Sequence, residues 1–516
     1  MTLGILGRSF LPAIALVALL PGCGGGGGGT TYPMPAITDI DGAATASGNA
    51  GSGFIVDGGG FGTLSGMGTT TGYTVDFRDA TTNSVVTTAS YAGSGWTGNY
   101  LKAVVPNSGL TVGTTYKVTV TTPGGTSNAV SFLLVASVAF SPSTIAWAST
   151  SGLPMAIQGF PTMIAPISVT SGSTTTTTTH IYTFGGNTAA SGASGASSAN
   201  VAAVYSNTIN DGTNGTTAGT LAGAWKTETN ALPAGRGFAA GALANGFNSH
   251  VSGSGTVYVL GGLDATGTAT STVYYASLAS DGSVGTWATT TALPEARYAF
   301  GAVIFRGHLY VAGGNDATST PTATVYSAQI NSDGTLGTWS TTLPSLVAPV
   351  AYHQLVATGG VLYVLGGTST AAVDPTSATQ SAASVPDVYY NSINPDGTLA
   401  GTSWTANPNK LKKAVEKNTV IAIGTDVLAS GGLYSGSPGS TEEQYSTQST
   451  TDASLGAFNG ATGSNTISGT ASGYNFFNHS ASLYVDPAGN PHVMILGGQT
   501  VGTTPTAVEN GVWYMK

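Results

Sequence analysis

The residues best suited to chemistry in this sequence are two arginines. Arg236 and Arg297 each stand three residues after the proline of a Leu-Pro pair, at Pro233 and Pro294, in a chain with only 5 Arg. A guanidinium can grip a carboxylate through two parallel hydrogen bonds, so both are candidate ligand-binding residues for an acidic group. The structural alternative is that each braces a loop or a junction. Corresponding places near Val350, Ala414 and Phe476 carry no Arg, so a charged rim would be incomplete. The run Lys410, Lys412, Lys413, Glu416 and Lys417 reads as a solvated charge cluster. Six histidines, at 180, 250, 308, 353, 479 and 492, are scattered without the short spacing of metal ligands, so no metal site is expected. Neither a Gly-x-Ser-x-Gly elbow with supporting context nor a phosphate-cradling Gly-x4-Gly-Lys-Ser/Thr loop is present. No catalytic residue and no cofactor can therefore be assigned.

Composition bounds what surrounds these residues. With 22 Asp+Glu against 13 Lys+Arg the formal charge is −9, which offers no basic face for phosphates and makes nucleic acid a poor partner. Charged residues are 7 % while hydrophobic ones are 41 %, enough to bury a core. The 76 Gly in 516 residues disfavour long helices.

The N-terminal stretch is laid out for export. Arg8, the apolar run Leu11 to Leu20 and Pro21-Gly22-Cys23 form a signal-peptide pattern too short to span a bilayer. Cys23 is the only cysteine, and Gly24 to Gly29 follow it as a flexible tether. Leu20-Pro21-Gly22-Cys23 resembles the bacterial lipobox, which implies lipidation at Cys23, with Pro21 a departure from the pattern. Gly24 in place of an Asp implies an outer-membrane destination, so the expected segments are a signal peptide over 1–23 and a tether over 24–33.

Residues 34–136 alternate apolar and polar residues in short runs broken by Gly, Asn and Pro, the pattern of an antiparallel sandwich. Ile37-Thr38-Asp39-Ile40, the segment Phe54 to Gly62, Val104-Val105-Pro106 and Tyr116 to Val120 make this segment similar to the immunoglobulin-like IPT/TIG domain. Phe61, Tyr116 and Phe132 are expected between its sheets. The resemblance implies a spacer or protein-binding module. No paired carboxylates or histidine cluster is visible in the segment.

Residues 137–516 repeat. A strand ending in Gly-Gly recurs at Ile181 to Gly186, Val257 to Gly262, Leu309 to Gly314, Leu362 to Gly367, Val427 to Gly432 and Val493 to Gly498, with successive spacings of 76, 52, 53, 65 and 66 residues. A Val-Tyr strand, an Asp-Gly turn and an aromatic usually follow. Thr174 to Thr179 and Ala189 to Ala199 read as mobile loop insertions. The unit resembles the kelch repeat, which implies a six-bladed β-propeller whose Gly-Gly pairs let blades crowd together. Outer-strand aromatics are expected at Trp225, Trp287, Trp339, Trp404 and Phe458. After the sixth Gly-Gly, residues Val512 to Lys516 match only the third strand. Trp147 and Leu153-Pro154 repeat the spacing of Trp287 and Leu293-Pro294, so the segment around Ile145 to Ser149 is expected to complete the last blade and close the ring.

The expected whole is all-β: an immunoglobulin-like sandwich followed by a six-bladed kelch-type propeller. It reads as a non-enzymatic, lipid-anchored envelope protein whose propeller face binds a glycan, peptide or protein. In kelch domains the Arg236 and Arg297 position can face the channel mouth. The alternative is a periplasmic enzyme similar to the kelch sugar-acid epimerases, with Glu295 or Glu416 as acid/base residues.

Overall fold

The computed structural model describes residues 32–43, 45–62, 72–138, 140, 145–172, 174–191, 193, 196–251, 253–371, 373–394, 396–434, 443–449, 452–460, 475–501 and 507–515. Cys23 and the segment 1–31 lie outside them. The described chain is all-β, broken only by a three-residue 3₁₀ turn at Ala196–Ser198.

Two sheets form first. One orders Ala36–Ile40, Gly53–Gly59, Tyr100–Val104 and Ser90–Trp96; the other runs from Ala46–Gly48 through Val130–Leu134, Thr115–Thr122 and Thr74–Asp79 to Val85–Thr88. Alternating residues of both bury one core, in which Phe77 meets Phe54 and Phe132 edge-on at 5.8 and 5.2 Å. Phe61, Tyr116 and Phe132 all lie in it.

Six antiparallel sheets of three or four strands follow, led in chain order by strands Thr162–Ser171, Ala240–Ala244, Gly301–Phe305, Gln354–Thr358, Thr419–Ile423 and Ser480–Val485, together with two two-stranded pairings, Val415–Glu416 with Leu433–Tyr434 and Asn475–Phe477 with Gln499–Val501. Each leading strand lies against the next, and the sixth against the first. The sixth sheet contains both parts of the chain: Trp147–Thr150 pairs antiparallel with Val512–Met515, Trp147 opposite Met515 and Thr150 opposite Val512. The apolar core is divided among the seams. Tyr182, Val257 and Val259 fill the first seam, for example, and Ile145, Leu428, Val493 and Trp513 the fifth.

Backbone hydrogen bonds tie the six sheets in two rings. Gly159, Phe238, Ala299, Tyr352, Lys417 and Asn478 precede the six leading strands, and all have φ between 53° and 59°. The amide of each donates to the carbonyl of the one before it at 2.6–3.0 Å, and Gly159 donates to Asn478 at 2.8 Å, closing the circle. Five of these residues are not glycine, and a left-handed Phe or Tyr persists only where its surroundings enforce it. A second ring is built by the Gly-Gly pairs. The amides of Gly186, Gly262, Gly314, Gly367, Gly432 and Gly498 donate at 2.7–2.8 Å to Arg236, Arg297, Val350, Val415, Phe476 and Ile157. This aligns Val415, not Ala414, with Arg236 and Arg297.

The glycines are required by the seams. A Cβ on Gly313 (φ 58°) would lie 2.6 Å from Cε1 of His353, and one on Gly431 (φ 62°) 2.5 Å from Cε1 of His479. The crowding comes from the next sheet: a backbone carbonyl stands within 2.4–2.7 Å of a Cβ placed at the first glycine of every pair, joined at Gly313 and Gly431 by a histidine ring. Indole N–H groups stitch the outer strands inward: Trp225, Trp287, Trp339 and Trp404 donate to the carbonyls of Ser151, Asn230, Thr291 and Pro344. The Tyr182, Tyr258 and Tyr310 hydroxyls donate to the carbonyls of Gly282, Gly334 and Gly397, the glycines of the next sheets' Asp-Gly turns.

Two expectations are corrected. Thr174 to Thr179 is strand, not loop: it belongs to Thr174–Phe184, paired residue for residue with Thr162–Ser171, because consecutive β-branched residues favour extended backbone. Glu416 and Lys417 are buried rather than solvated.

Candidate functional sites at the two ends of the ring

At the Gly-Gly end, a cavity of about 260 Å³ lies on the axis, lined by the same four-residue stretch of each sheet: 159–162, 238–241, 299–302, 352–355, 417–420 and 478–481. Two loops from sheets on opposite sides of the ring meet over it, where the amide of Ala378 donates to Oγ of Ser191 at 3.0 Å. Asn478 donates to the carbonyl of Pro375 and to Oε1 of Gln158, both at 2.8 Å. The Tyr352 hydroxyl donates to the Val373 carbonyl at 3.2 Å. Lys417 donates to the carbonyls of Asp374 and Ser377 at 3.1 and 2.8 Å, and burial pulls its ammonium down to about 8. Thr376 is fully buried beneath this roof. His353 and His479 are pushed by burial to about 4 and stay neutral at physiological pH.

Arg236 and Arg297 do not line this cavity. Both, expected from sequence as grips for an acidic ligand, are buried and turned into their own neighbourhoods. Arg297 donates to the Gly313 carbonyl and Thr322 at 2.7 Å, to Glu295 at 2.9 Å, to Tyr326 at 3.0 Å, and to Thr324, with its guanidinium over the Tyr326 ring. Arg236 donates to the Gly235 carbonyl and the Tyr274 hydroxyl and lies over the Tyr274 ring. Each guanidinium thus braces its repeat against the Val-Tyr strand, the alternative weighed from sequence. Of the acid/base candidates, Glu295 holds Arg297, while buried Glu416 accepts from the Ser381 amide and the Ser384 hydroxyl. Neither lines the axial cavity.

At the hairpin end, the sandwich docks on the ring. The amide of Thr45 donates to the Gly246 carbonyl at 2.8 Å. Gly42 lies so close to the Arg306 backbone that a Cβ there would come within 2.4 Å. Between the two bodies opens a cleft of about 620 Å³. Asp39 and Asp57 face each other directly across the antiparallel pair that heads the sandwich. Two ionised carboxylates so placed repel. Burial and the charge of Asp39 push Asp57 well above the usual carboxylate range, so it keeps its proton and shares it with Asp39. Burial opposes the charge on Asp39, but bonds from His250 and the Gly42 amide outweigh it and hold Asp39 low. Nε2 of His250 lies 3.4 Å from Asp39, which raises that imidazole. Asp41, raised by burial to about 6, lies 3.4 Å from Arg306.

This carboxyl pair was missed from sequence. Both residues stood in the segments that carry the IPT resemblance, but only strand register sets them opposite one another. Among the described residues no group of three or more His, Cys, Asp or Glu is arranged to hold a metal ion. The chain matches no protein-family model, and no curated protein matches it significantly.

Proposed function

We propose that this chain is a six-bladed, kelch-type β-propeller carried on an IPT-like sandwich, anchored by lipid on Cys23 to the bacterial outer membrane, and that it works by recognition rather than catalysis, binding a glycan, peptide or protein. The observation that carries the reading is the pair of closed hydrogen-bonded rings. Twelve equivalent intersheet bonds, each worth about 1 kcal/mol net, make a rigid platform that holds loops and docked sandwich in fixed relation. Recognition surfaces are built on such scaffolds. The epimerase alternative needs an acid or base aimed at a substrate carbon, and the side chains proposed for it are engaged elsewhere.

The test has two arms. Full-length protein is presented to printed glycan and peptide panels; saturable binding of a defined member is expected, and a blank result on both would end the recognition reading. Intact cells are then shaved with protease, and Cys23→Ser is fractionated. Release of the variant from membranes supports the anchor, whereas unchanged membrane association refutes it.

A further inference from the structure

We propose that the cleft between the sandwich and the hairpin end of the ring is a saccharide-binding site that takes a neutral glycan through adjacent hydroxyls. The inference rests on the recognition reading above and names its site and ligand class.

The argument starts from what the cleft offers. Its volume of about 620 Å³ falls in the range of small-ligand sites. Asp39, Asp57, Asn99 and Tyr100 come to it from the sandwich, His308 and Gln329 from the ring. The side chains of Asn99, Tyr100 and Gln329 make no hydrogen bond within the described protein. Two amides, each both donor and acceptor, therefore stand beside a phenol and a carboxyl pair, within one concavity. A sugar hydroxyl donates and accepts at once, so neighbouring hydroxyls are satisfied by such a mixed set. Half-buried Tyr100 adds an aromatic ring, the face of which can take the C–H face of a pyranose.

Charge selects within the class. Of the carboxyl groups that line the cleft, Asp57 keeps its proton while Asp39 and Asp396 are ionised, and buried Arg306 is already paired with Asp41. His250 is likewise engaged by Asp39. A carboxylated or phosphorylated sugar would find both cations already engaged and would face the Asp396 carboxylate, while a neutral one meets neither obstacle. The two walls belong to different bodies, so the site exists only while the sandwich is docked. That docking depends on the Gly42 contact with the Arg306 backbone.

The experiment uses the full chain on a printed panel of neutral and sialylated oligosaccharides, followed by calorimetric titration with the best neutral binder, with sialyllactose as the acidic comparison. Tyr100→Ala and Gln329→Ala are each expected to weaken binding about tenfold or more with an unchanged melting temperature. Because Gln329 is exposed, its variant should fold whatever Tyr100→Ala does. Gly42→Val should abolish binding by prising the walls apart. Preference for sialyllactose would overturn the proposal, as would neutral-glycan binding that both cleft variants leave intact. Peptide binding with no glycan binding would also overturn it, yet would leave the recognition reading standing.

Discussion

The two ends of the ring use the same repeats for opposite purposes. At the Gly-Gly end the backbone is satisfied by the ring itself, while the axial cavity keeps the side chains of Thr162, His353 and Asn418 buried without a hydrogen-bond partner. Six left-handed residues close one backbone ring, the Gly-Gly amides close another, and the loops at Ser191 and Ala378 meet over the axis. At the hairpin end the repeats finish in open turns against a second body, and the intervening cleft keeps amides, a phenol and a carboxyl pair without full internal partners. The unpaired atoms at the Gly-Gly end are buried from solvent, whereas Asn99, Tyr100 and Gln329 at the hairpin end reach it. Polar groups left unpaired in a concavity are what a ligand can use.

Breaking closure should have the largest effect. Truncation after Gly511 removes Val512–Met515 and with it the partner of Trp147–Thr150. Loss of the cooperative thermal transition, with aggregation, is expected by calorimetry and light scattering. A truncated chain that melts like the parent would show that the sixth sheet is dispensable.

Next in size is a single wedge. Gly313→Ala combines an unfavourable φ with contacts of 2.5 Å to the Val350 carbonyl and 2.6 Å to the His353 ring, for a cost of about 2–4 kcal/mol. The same change at Gly215 (φ 79°), where a Cβ meets nothing within 4 Å, should cost about 1 kcal/mol, from backbone strain alone. Equal losses in denaturant titrations would refute the wedge.

A smaller effect separates by pH. Buried Glu443 accepts a hydrogen bond from Nε1 of Trp147, and burial holds its carboxyl up at about 8, against an ordinary value near 4.5. Between those values the folded chain keeps a proton that the unfolded chain has released, so stability should fall as pH rises from about 5 to about 8. Glu443→Gln should make that part of the profile shallower, leaving the share that the raised Asp57 carboxyl contributes over the same range. A parent profile as flat as the variant's would show that Glu443 does not carry the proton.

The smallest effect on stability is expected from Gln329→Ala at the other end. Its melting temperature should match the parent's within about 1 °C, since an exposed side chain without internal partners holds nothing together. A clear drop would place Gln329 in the framework and erase the contrast between the ends.

Much of the fold was legible because it is local and repeated. Alternation and Gly-Gly spacing marked the strands, and the matched spacing of Trp147 and Trp287 pointed to the segment that lies beside Val512–Met515. The site was less legible. Arg236 and Arg297 looked available because sequence shows their charge but not the Tyr274 and Tyr326 rings beneath them. The six threonines at 174–179 looked like low-complexity loop, yet a partner strand of equal reach makes them sheet. Lys417 looked solvated, although its repeat position puts it under the roof of the axial cavity.

The sequence alone determined that this chain is β throughout its described length and built from a recurring unit, because hydrophobic alternation and glycine placement act over a few residues. Only the tertiary structure decided which polar groups would be spent on the protein itself. That choice depends on register and on which surfaces meet, as Asp39 and Asp57 show: two unremarkable carboxylates, 18 positions apart in the chain, become a proton-sharing pair when antiparallel pairing sets one against the other at the edge of a cleft.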